Sequence, residues 1–377
     1  MKDTTQTLIY VMLLGFSMSS EAINPLLLKG GQGILVYDSY QPTGPDSTVE
    51  KTHTGQWAAD IQTFNQGANA KSQFNRIYTY SGALSASCVK EADCIYSGAN
   101  KNVFVGYAST DFGPNSVAAY RASFPTATIF AIIDADAYPA DFPVLSDPTF
   151  GINAANELAN EICSDPNVDG VLFDLEPANF ATNQGQYKLY RQTAINFASP
   201  QCKDANHPDG RNFAIYMNPN SVKDWPAIPG MLGITGFLMV DGYDTKDSAP
   251  PPAGISAYQS SITGRVKVFM NPNSITYKIA FTVVLPAAAT FTEFQKIGTY
   301  ISESDPFQLT TDYGPAITQY NYIHTGLGIL QQYATSGSFL GVDYWRYAQY
   351  TSPDPKNNTL TKPNLPPDDV IQVLQNQ

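Results

Sequence analysis

Short apolar runs alternate with longer stretches of helical periodicity along most of this chain. The runs are rich in β-branched and aromatic side chains, which is typical of buried parallel strands. Eight such runs predict eight strands: 33–38, 76–80, 128–134, 168–177, 212–218, 236–241, 278–286 and 339–345. Strands that alternate with helices predict a parallel sheet, and eight is the number that closes a (β/α)₈ barrel. An open doubly wound sheet is the alternative, but no glycine-rich phosphate loop follows the first strand.

Between the strands, the helical pattern predicts helices near 56–64, 115–124, 153–163, 186–198 and 257–262, with a longer helical region in 316–333. An insertion after the second strand, Ser81–Gly106, interrupts the alternation. It holds two cysteines and one possible extra strand at 102–107. The predicted fold is therefore a (β/α)₈ barrel with a small disulfide-bearing insertion.

The first 22 residues predict an export signal. Lys2 precedes an apolar run at 8–16, and Ser20–Ala22 has small residues at both ends of a cleavage site. The run is too short to span a membrane, and no other segment is apolar enough. A buried first helix is the alternative. We expect a signal peptide at 1–22, the barrel at 23–351, a tail rich in Pro and Asn at 352–377, and an extracellular or periplasmic protein.

Composition narrows the classes of function. Hydrophobic residues make up 43% of the 377 and charged residues only 14%, so a large core is easily built. The net charge of -12, with no basic run, argues against nucleic acid or an anionic membrane as a partner. The three histidines lie far apart and no Cys-x-x-Cys occurs, so we expect no metal and no cofactor. We expect a monomer.

Four cysteines, an even number, suit an exported protein. Cys88 and Cys94 are close in sequence and are expected to close a small loop. Cys163 and Cys202 would then form the second disulfide. Three pairings are possible in principle, and this one contains the most local bridge.

The candidate chemistry lies in the fourth run, which ends on Asp174 and Glu176. Alternate side chains of a strand share a face, so Leu172 would point with these two acids toward the barrel interior. Active sites of such barrels lie at the carboxyl ends of the strands. One carboxylate beside another raises the pKa of one of them, which supplies the general acid that glycoside hydrolysis needs. The alternative is a strand that ends in two solvated acids.

Three motifs resemble family 18 glycoside hydrolases, the chitinases and endo-β-N-acetylglucosaminidases. Asp169-Gly170-x-x-x-Asp174-x-Glu176 resembles the fourth-strand signature Asp-Gly-x-Asp-x-Asp-x-Glu, with Leu172 at the middle Asp. The segment 239–244 is similar to the sixth-strand Met-x-Tyr-Asp motif but two residues longer, and Gly341-x-x-x-Trp345 looks like the end of the eighth strand. The third-strand Ser-x-Gly-Gly pattern is absent, and 134–136 reads Asp-Ala-Asp.

The resemblance implies specific roles. Glu176 would act as general acid and later as base, while Asp174 would orient an acetamido group whose carbonyl oxygen attacks the anomeric carbon. Tyr243 would hold the acetamido oxygen. Asp244 corresponds to the motif Asp, whereas Asp241 has the strand parity that points into the site, so both stay candidates for substrate contact.

Trp345 would stack beneath the sugar through its apolar face. Met239 opens the sixth-strand motif and belongs to the same substrate-binding set. Strand ends supply further candidates for cleft lining: Tyr37, Tyr80, Tyr216 and Asn218.

The expected function is hydrolysis of a β-linked glycan that contains N-acetylglucosamine, of chitin or N-glycan type, by a substrate-assisted retaining mechanism. One alternative is a non-catalytic glycan-binding protein on the same barrel. The other is a two-carboxylate glycosidase, with Glu176 as acid and Asp241 or Asp244 as nucleophile.

Overall fold

The computed structural model describes residues 32–36, 57–68, 73–85, 104–107, 116–134, 147–175, 184–219, 222, 225–242, 253–286, 325–330, 332 and 338–347. The strands in these ranges are β1 (Gln32–Val36), β2 (Phe74–Ser85), β3 (Phe104–Tyr107), β4 (Thr128–Asp134), β5 (Gly170–Asp174), β6 (Asn212–Met217), β7 (Gly236–Asp241), β8 (Phe281–Pro286) and β9 (Phe339–Tyr347). The α-helices are α1 (Trp57–Gly67), α2 (Val117–Ser123), α3 (Pro148–Ser164), α4 (Gln184–Phe197), α5 (Ile228–Leu232) and α6 (Ala253–Val266), and residues 325–330 are also helical.

The strands form a closed parallel barrel. The order runs β1, β2, β4, β5, β6, β7, β8, β9 and returns to β1, which pairs with both β2 and β9. The predicted (β/α)₈ barrel is therefore confirmed, and each of the eight apolar runs supplies one of its strands.

The insertion departs from its predicted bounds. The second strand was expected to end at Tyr80, but β2 continues to Ser85 after a register shift between Tyr80 and Gly82. Its last residues pair antiparallel with β3, which is the possible extra strand of the sequence. Cys88 and Cys94 lie outside the described residues, so their pairing stays a prediction.

Aromatic rings fill the barrel interior. Tyr78 of β2 stacks on Phe130 of β4 with ring centroids 4.9 Å apart, and Phe130 meets Phe237 of β7 across the barrel at 5.8 Å. On the outside, Phe213 of β6 packs edge-on against Phe197 of α4. The two faces of the strands thus bury different layers, as alternation requires.

A buried ion pair lies among these interior residues. Arg76 of β2 donates from Nη2 and Nε to Asp343 Oδ1 of β9 at 3.0 and 3.2 Å, and Tyr78 donates its hydroxyl to Oδ2 at 3.1 Å. Arg76 also reaches the backbone carbonyls of Leu340 and Val342, both near the start of β9. Burial alone would lower the pKa of Arg76, but the charges and hydrogen bonds of Asp343 and Tyr78 together outweigh it and the pKa is raised. The charges are therefore paired and hydrogen-bonded, which a buried charge requires.

Gly33 of β1 makes room for this pair. A Cβ at Gly33 would lie 1.7 Å from Asp343 Oδ1 and 2.9 Å from the Tyr78 ring. Any other residue there would displace the carboxylate. The glycine is thus needed for close approach and not for a special backbone angle.

Helices α3 and α4 pack very closely in the outer layer. A Cβ at Gly151 of α3 would lie 2.0 Å from the carbonyl oxygen of Gly185 in the first turn of α4. Helix α3 begins five residues before the predicted 153, because Asp147 caps it by accepting from the Thr149 N–H and Pro148 suits a first turn.

A disulfide ties the other ends of these helices. Cys163, in the last turn of α3, is bonded to Cys202, which follows α4. This pairing confirms the prediction for Cys163 and Cys202.

Within the described ranges, no helix is both long enough and apolar enough to cross a bilayer.

Candidate active site

Strand β5 carries the candidate acids, and its two faces differ as the sequence predicts. Leu172 is buried and shares a face with Asp174, the partly exposed last residue of the strand. Phe173 points the other way, because its ring lies 5.1 Å from the Tyr190 ring of the outer helix α4. Asp174 therefore stands at the carboxyl end of a barrel strand, on the interior face.

The neighbouring strand brings a second aspartate to the same level. The register pairs Asp134, the last residue of β4, with Asp174. This is the position where the sequence lacks the third-strand Ser-x-Gly-Gly pattern. Two strands thus end on aspartates side by side in the backbone register.

Helix α4 contacts the backbone just beyond Asp174. Gln186, which is fully buried, donates from Nε2 to the carbonyl oxygen of Leu175 at 2.9 Å and to the hydroxyl of Tyr190 at 3.0 Å. Burial raises the pKa of Tyr190, the Gln186 hydrogen bond opposes this in part, and the charge of Asp174 raises it further. The end of β5 and the helix behind it are therefore joined by a buried hydrogen bond.

Asp241, at the end of β7, is paired with a cation. Arg265 of α6 donates from Nη1 to Asp241 Oδ1 at 2.6 Å and to its backbone carbonyl at 2.8 Å. Asn218 donates to Oδ2 at 3.3 Å. Both Asp241 and Arg265 are buried. Two predicted substrate-binding residues, Asn218 and Asp241, are thus in contact, but the carboxylate is shared with an arginine that the sequence did not single out.

Met239 and Tyr216 lie side by side in the register of β7 and β6, and both are buried. Trp345 lies in β9, where the register pairs it with Leu35 and Pro286, and Tyr80 of β2 pairs with Ile132. The remaining predicted site residues lie outside the described residues and stay predictions: Glu176, Tyr243, Asp244 and Tyr37.

Asp169, the first acid of the family-like signature, lies at the opposite end of β5. Its Oδ2 accepts from Arg121 at 2.5 Å and from the Ile129 N–H at 2.7 Å, and its Oδ1 lies 2.7 Å from His207 Nε2. His207 contacts Asp204 through its other ring nitrogen. Asp169 thus connects the start of β5 to α2, to β4 and to His207. It lies at the amino end of the strand and is not part of the candidate site at the carboxyl end.

The sequence could have indicated Gln186. The buried stripe of α4 is apolar or small at most positions, and Gln186 occupies one of them. A polar side chain at such a position needs a buried partner.

Within the described part of the chain, no three His, Cys, Asp or Glu side chains are grouped to hold a metal ion.

No protein-family model matches the sequence, and no curated protein matches it. Among solved structures, a chitinase-like agglutinin from Robinia pseudoacacia is similar at 12% identity and a TM-score of 0.50, over 83% of this chain and 94% of that one. A xylanase from Paenibacillus barcinonensis has 10% identity, a TM-score of 0.49 and coverage of 96% and 100%. A class V chitinase from Pseudomonas fluorescens Pf-5 has 11% identity and a TM-score of 0.48, over 84% of this chain and 95% of that one. At this identity the likeness to the agglutinin shows the fold alone, and the two lower scores add nothing to it.

Proposed function

We propose that the protein is a glycoside hydrolase that cleaves β-linked glycans containing N-acetylglucosamine, with Glu176 as the general acid. The observation that carries the proposal is the position of Asp174. It ends an interior-facing strand at the edge of the barrel where such folds hold their chemistry. Glu176 follows it by two residues in a family 18-like signature.

The proposed mechanism is substrate-assisted. Glu176 gives its proton to the glycosidic oxygen as the bond from that oxygen to the anomeric carbon breaks. The carbonyl oxygen of the sugar's own acetamido group, oriented by Asp174 and Tyr243, bonds to the anomeric carbon from the other face. Water then attacks that carbon, the bond from the carbon to the acetamido oxygen breaks and restores the neutral acetamido group, and the Glu176 carboxylate takes the water's proton. Two inversions at the anomeric carbon retain its configuration.

Leu172 leaves Asp174 without the neighbouring carboxylate that the family signature has. It is buried on the same face, one layer deeper, where the family signature has an aspartate. An apolar side chain there cannot exchange a proton with Asp174. We therefore expect Asp174 to keep its charge state through the cycle, with a cost in rate and not in fold.

A glycan-binding protein without activity is the second candidate. Its support is the missing aspartate at Leu172, together with a neighbour that is itself an agglutinin. Retention of Glu176 favours the hydrolase. A two-carboxylate mechanism with Asp241 as nucleophile is disfavoured, because Asp241 is buried and both of its carboxylate oxygens are already engaged, Oδ1 by Arg265 and Oδ2 by Asn218.

We also propose that the protein is exported. The Cys163–Cys202 disulfide is typical of an oxidising compartment, and the predicted signal at 1–22 would direct the chain there. The substrate would then be an extracellular or periplasmic glycan.

The test is hydrolysis of a chitin oligosaccharide and of an N-glycan by wild type and by Glu176→Gln. We expect the substitution to lower kcat by about 10²- to 10⁴-fold, the usual contribution of a general acid, while binding persists. Glu161→Gln is the matched control, since Glu161 is exposed on α3, and it should match wild type. Glycan binding without cleavage by either protein would establish the second candidate instead.

A further inference from the structure

We propose that Gln186 is a positioning residue for Glu176: its hydrogen bond to the Leu175 carbonyl fixes the peptide that carries the general acid. This inference rests on the proposed function. The carbonyl of Leu175 and the N–H of Glu176 belong to one planar peptide group. Holding the oxygen at 2.9 Å from Gln186 Nε2 therefore restrains the peptide group that joins Leu175 to Glu176.

The hydrogen bond from Gln186 to the Leu175 carbonyl is strengthened by its burial away from solvent. Gln186 and Leu175 are both fully buried, and a hydrogen bond within such surroundings is not weakened by competing water. The same amide nitrogen donates its second hydrogen to Tyr190 at 3.0 Å. With both donors engaged in fixed directions, the side-chain amide cannot rotate without losing one bond.

The helix that carries Gln186 is itself held at both ends. Its first turn lies against Gly151 of α3, where no room exists even for a Cβ. Beyond its other end, Cys202 is bonded to Cys163 of α3. The Phe173 and Tyr190 rings pack between α4 and β5. Helix α4 is thus held in place against α3, and Gln186 connects it to the end of β5.

The position of Tyr190 gives the pair a second link to the site. Its ring packs on Phe173, its hydroxyl accepts from Gln186, and the charge of Asp174 acts on it. Where the family signature supports Asp174 with another carboxylate on the strand, this chain has Leu172. The Gln186–Tyr190 pair lies behind the same strand, where the Tyr190 ring packs on Phe173.

The experiment replaces Gln186 by Met, which keeps the length of the side chain but cannot donate. Gln192→Met is the matched control, because Gln192 lies in the same helix and makes the same kind of bond, to Asn196 Oδ1 four residues on at 2.8 Å, away from β5. Two quantities are measured in the full chain: kcat and KM on a chitin oligosaccharide, and the hydrogen-exchange rate of the Glu176 backbone amide.

We expect Gln186→Met to lower kcat by about 10- to 100-fold, the effect of a catalytic group displaced by about 1 Å, with KM within about twofold of wild type. The Glu176 amide should exchange at least about tenfold faster, as expected for a locally loosened segment. Gln192→Met should change neither quantity. A folded Gln186→Met variant with wild-type kcat, or with an unchanged exchange rate at Glu176, overturns the inference.

Gln186→Glu supplies a rescue and a second variant if Gln186→Met does not fold. Only a protonated Glu can donate to the Leu175 carbonyl, so its kcat relative to wild type should rise as the pH is lowered toward the acid range in which carboxyl groups protonate. A ratio that is flat with pH contradicts the positioning role. Absence of any hydrolysis by wild type would refute the proposed function alone, because the exchange measurement still decides whether Gln186 holds the Glu176 peptide.

Discussion

Asp343→Asn probes the ion pair in the barrel interior. The substitution keeps the shape of the side chain and removes its charge, which leaves the Arg76 guanidinium buried without this counter-charge. The carbonyls of Leu340 and Val342 still accept from Arg76, and the amide oxygen of the new side chain can still accept from Tyr78. The change therefore keeps the packing while it removes the negative charge and one of the two carboxylate acceptors.

The geometry sets the size of the effect. Two unit charges 3.0 Å apart attract by about 5–6 kcal/mol at an effective dielectric constant of about 20. Bringing both ions out of water costs several kcal/mol each, so the intact pair is close to neutral for stability. Removing one partner forfeits the attraction but keeps the cost of burying the other. We expect the free energy of unfolding to fall by about 3–5 kcal/mol.

The assay is urea unfolding of wild type, Asp343→Asn, Arg76→Met and the double variant, followed by far-UV circular dichroism. Because the double variant removes both charges of the pair, it should be more stable than Asp343→Asn by at least about 1 kcal/mol. A loss below about 1 kcal/mol in Asp343→Asn, or a double variant as unstable as the sum of the two single ones, would refute this account of the pair.

Two further predictions concern the amino end of β5 and the buried phenols. Asp169→Asn should lower the free energy of unfolding by about 2–4 kcal/mol through the contacts with Arg121 and His207, yet leave kcat within about twofold, because it lies at the end of the strand remote from Asp174. A large loss of kcat at unchanged stability would contradict this. Among the described residues, burial raises the pKa of four tyrosines, which are Tyr78, Tyr107, Tyr190 and Tyr344. These phenols ionise in the unfolded chain above a pH of about 10 but stay neutral in the folded chain. Each should therefore lower the free energy of unfolding by about 1.4 kcal/mol per pH unit above that pH. Urea unfolding at a series of pH values from about 9 to about 11, on either side of the ordinary tyrosine pKa, checks this, and equal stability throughout would count against it.

The barrel and the faces of its strands are predictable from the sequence because they follow from periodicity. The alternation in β5 assigns Leu172 and Asp174 to one face and Phe173 to the other, and the contact of Phe173 with α4 agrees. The disulfide between Cys163 and Cys202 is predictable because only a few pairings exist. The faces of the strands thus follow from local alternation along the chain, whereas the disulfide follows from the small number of possible cysteine pairs.

The partners of buried polar side chains are not predictable in this way. Arg76 meets Asp343 at a sequence separation of 267 residues, and Gln186 reaches the Leu175 carbonyl from a helix, not from a neighbouring strand. Asp241 has the parity of a site residue, yet Arg265 of α6 binds its carboxylate. A polar residue at an apolar position indicates that a partner exists, but only the packing of strands and helices selects which one.

Closure of the barrel has a consequence for the timing of folding during synthesis. At about 5–20 residues per second, a ribosome needs roughly 13–50 s to proceed from Arg76 to Asp343, 267 residues later. Once β2 is complete at Ser85, β1 and β2 are present for the rest of that interval, but β1 lacks its second neighbour and Arg76 lacks the Asp343 carboxylate. An open sheet edge beside an uncompensated charge is poorly suited to early burial. The arginine thus disfavours premature collapse of the first strands, and the barrel closes only after its final strand has been made.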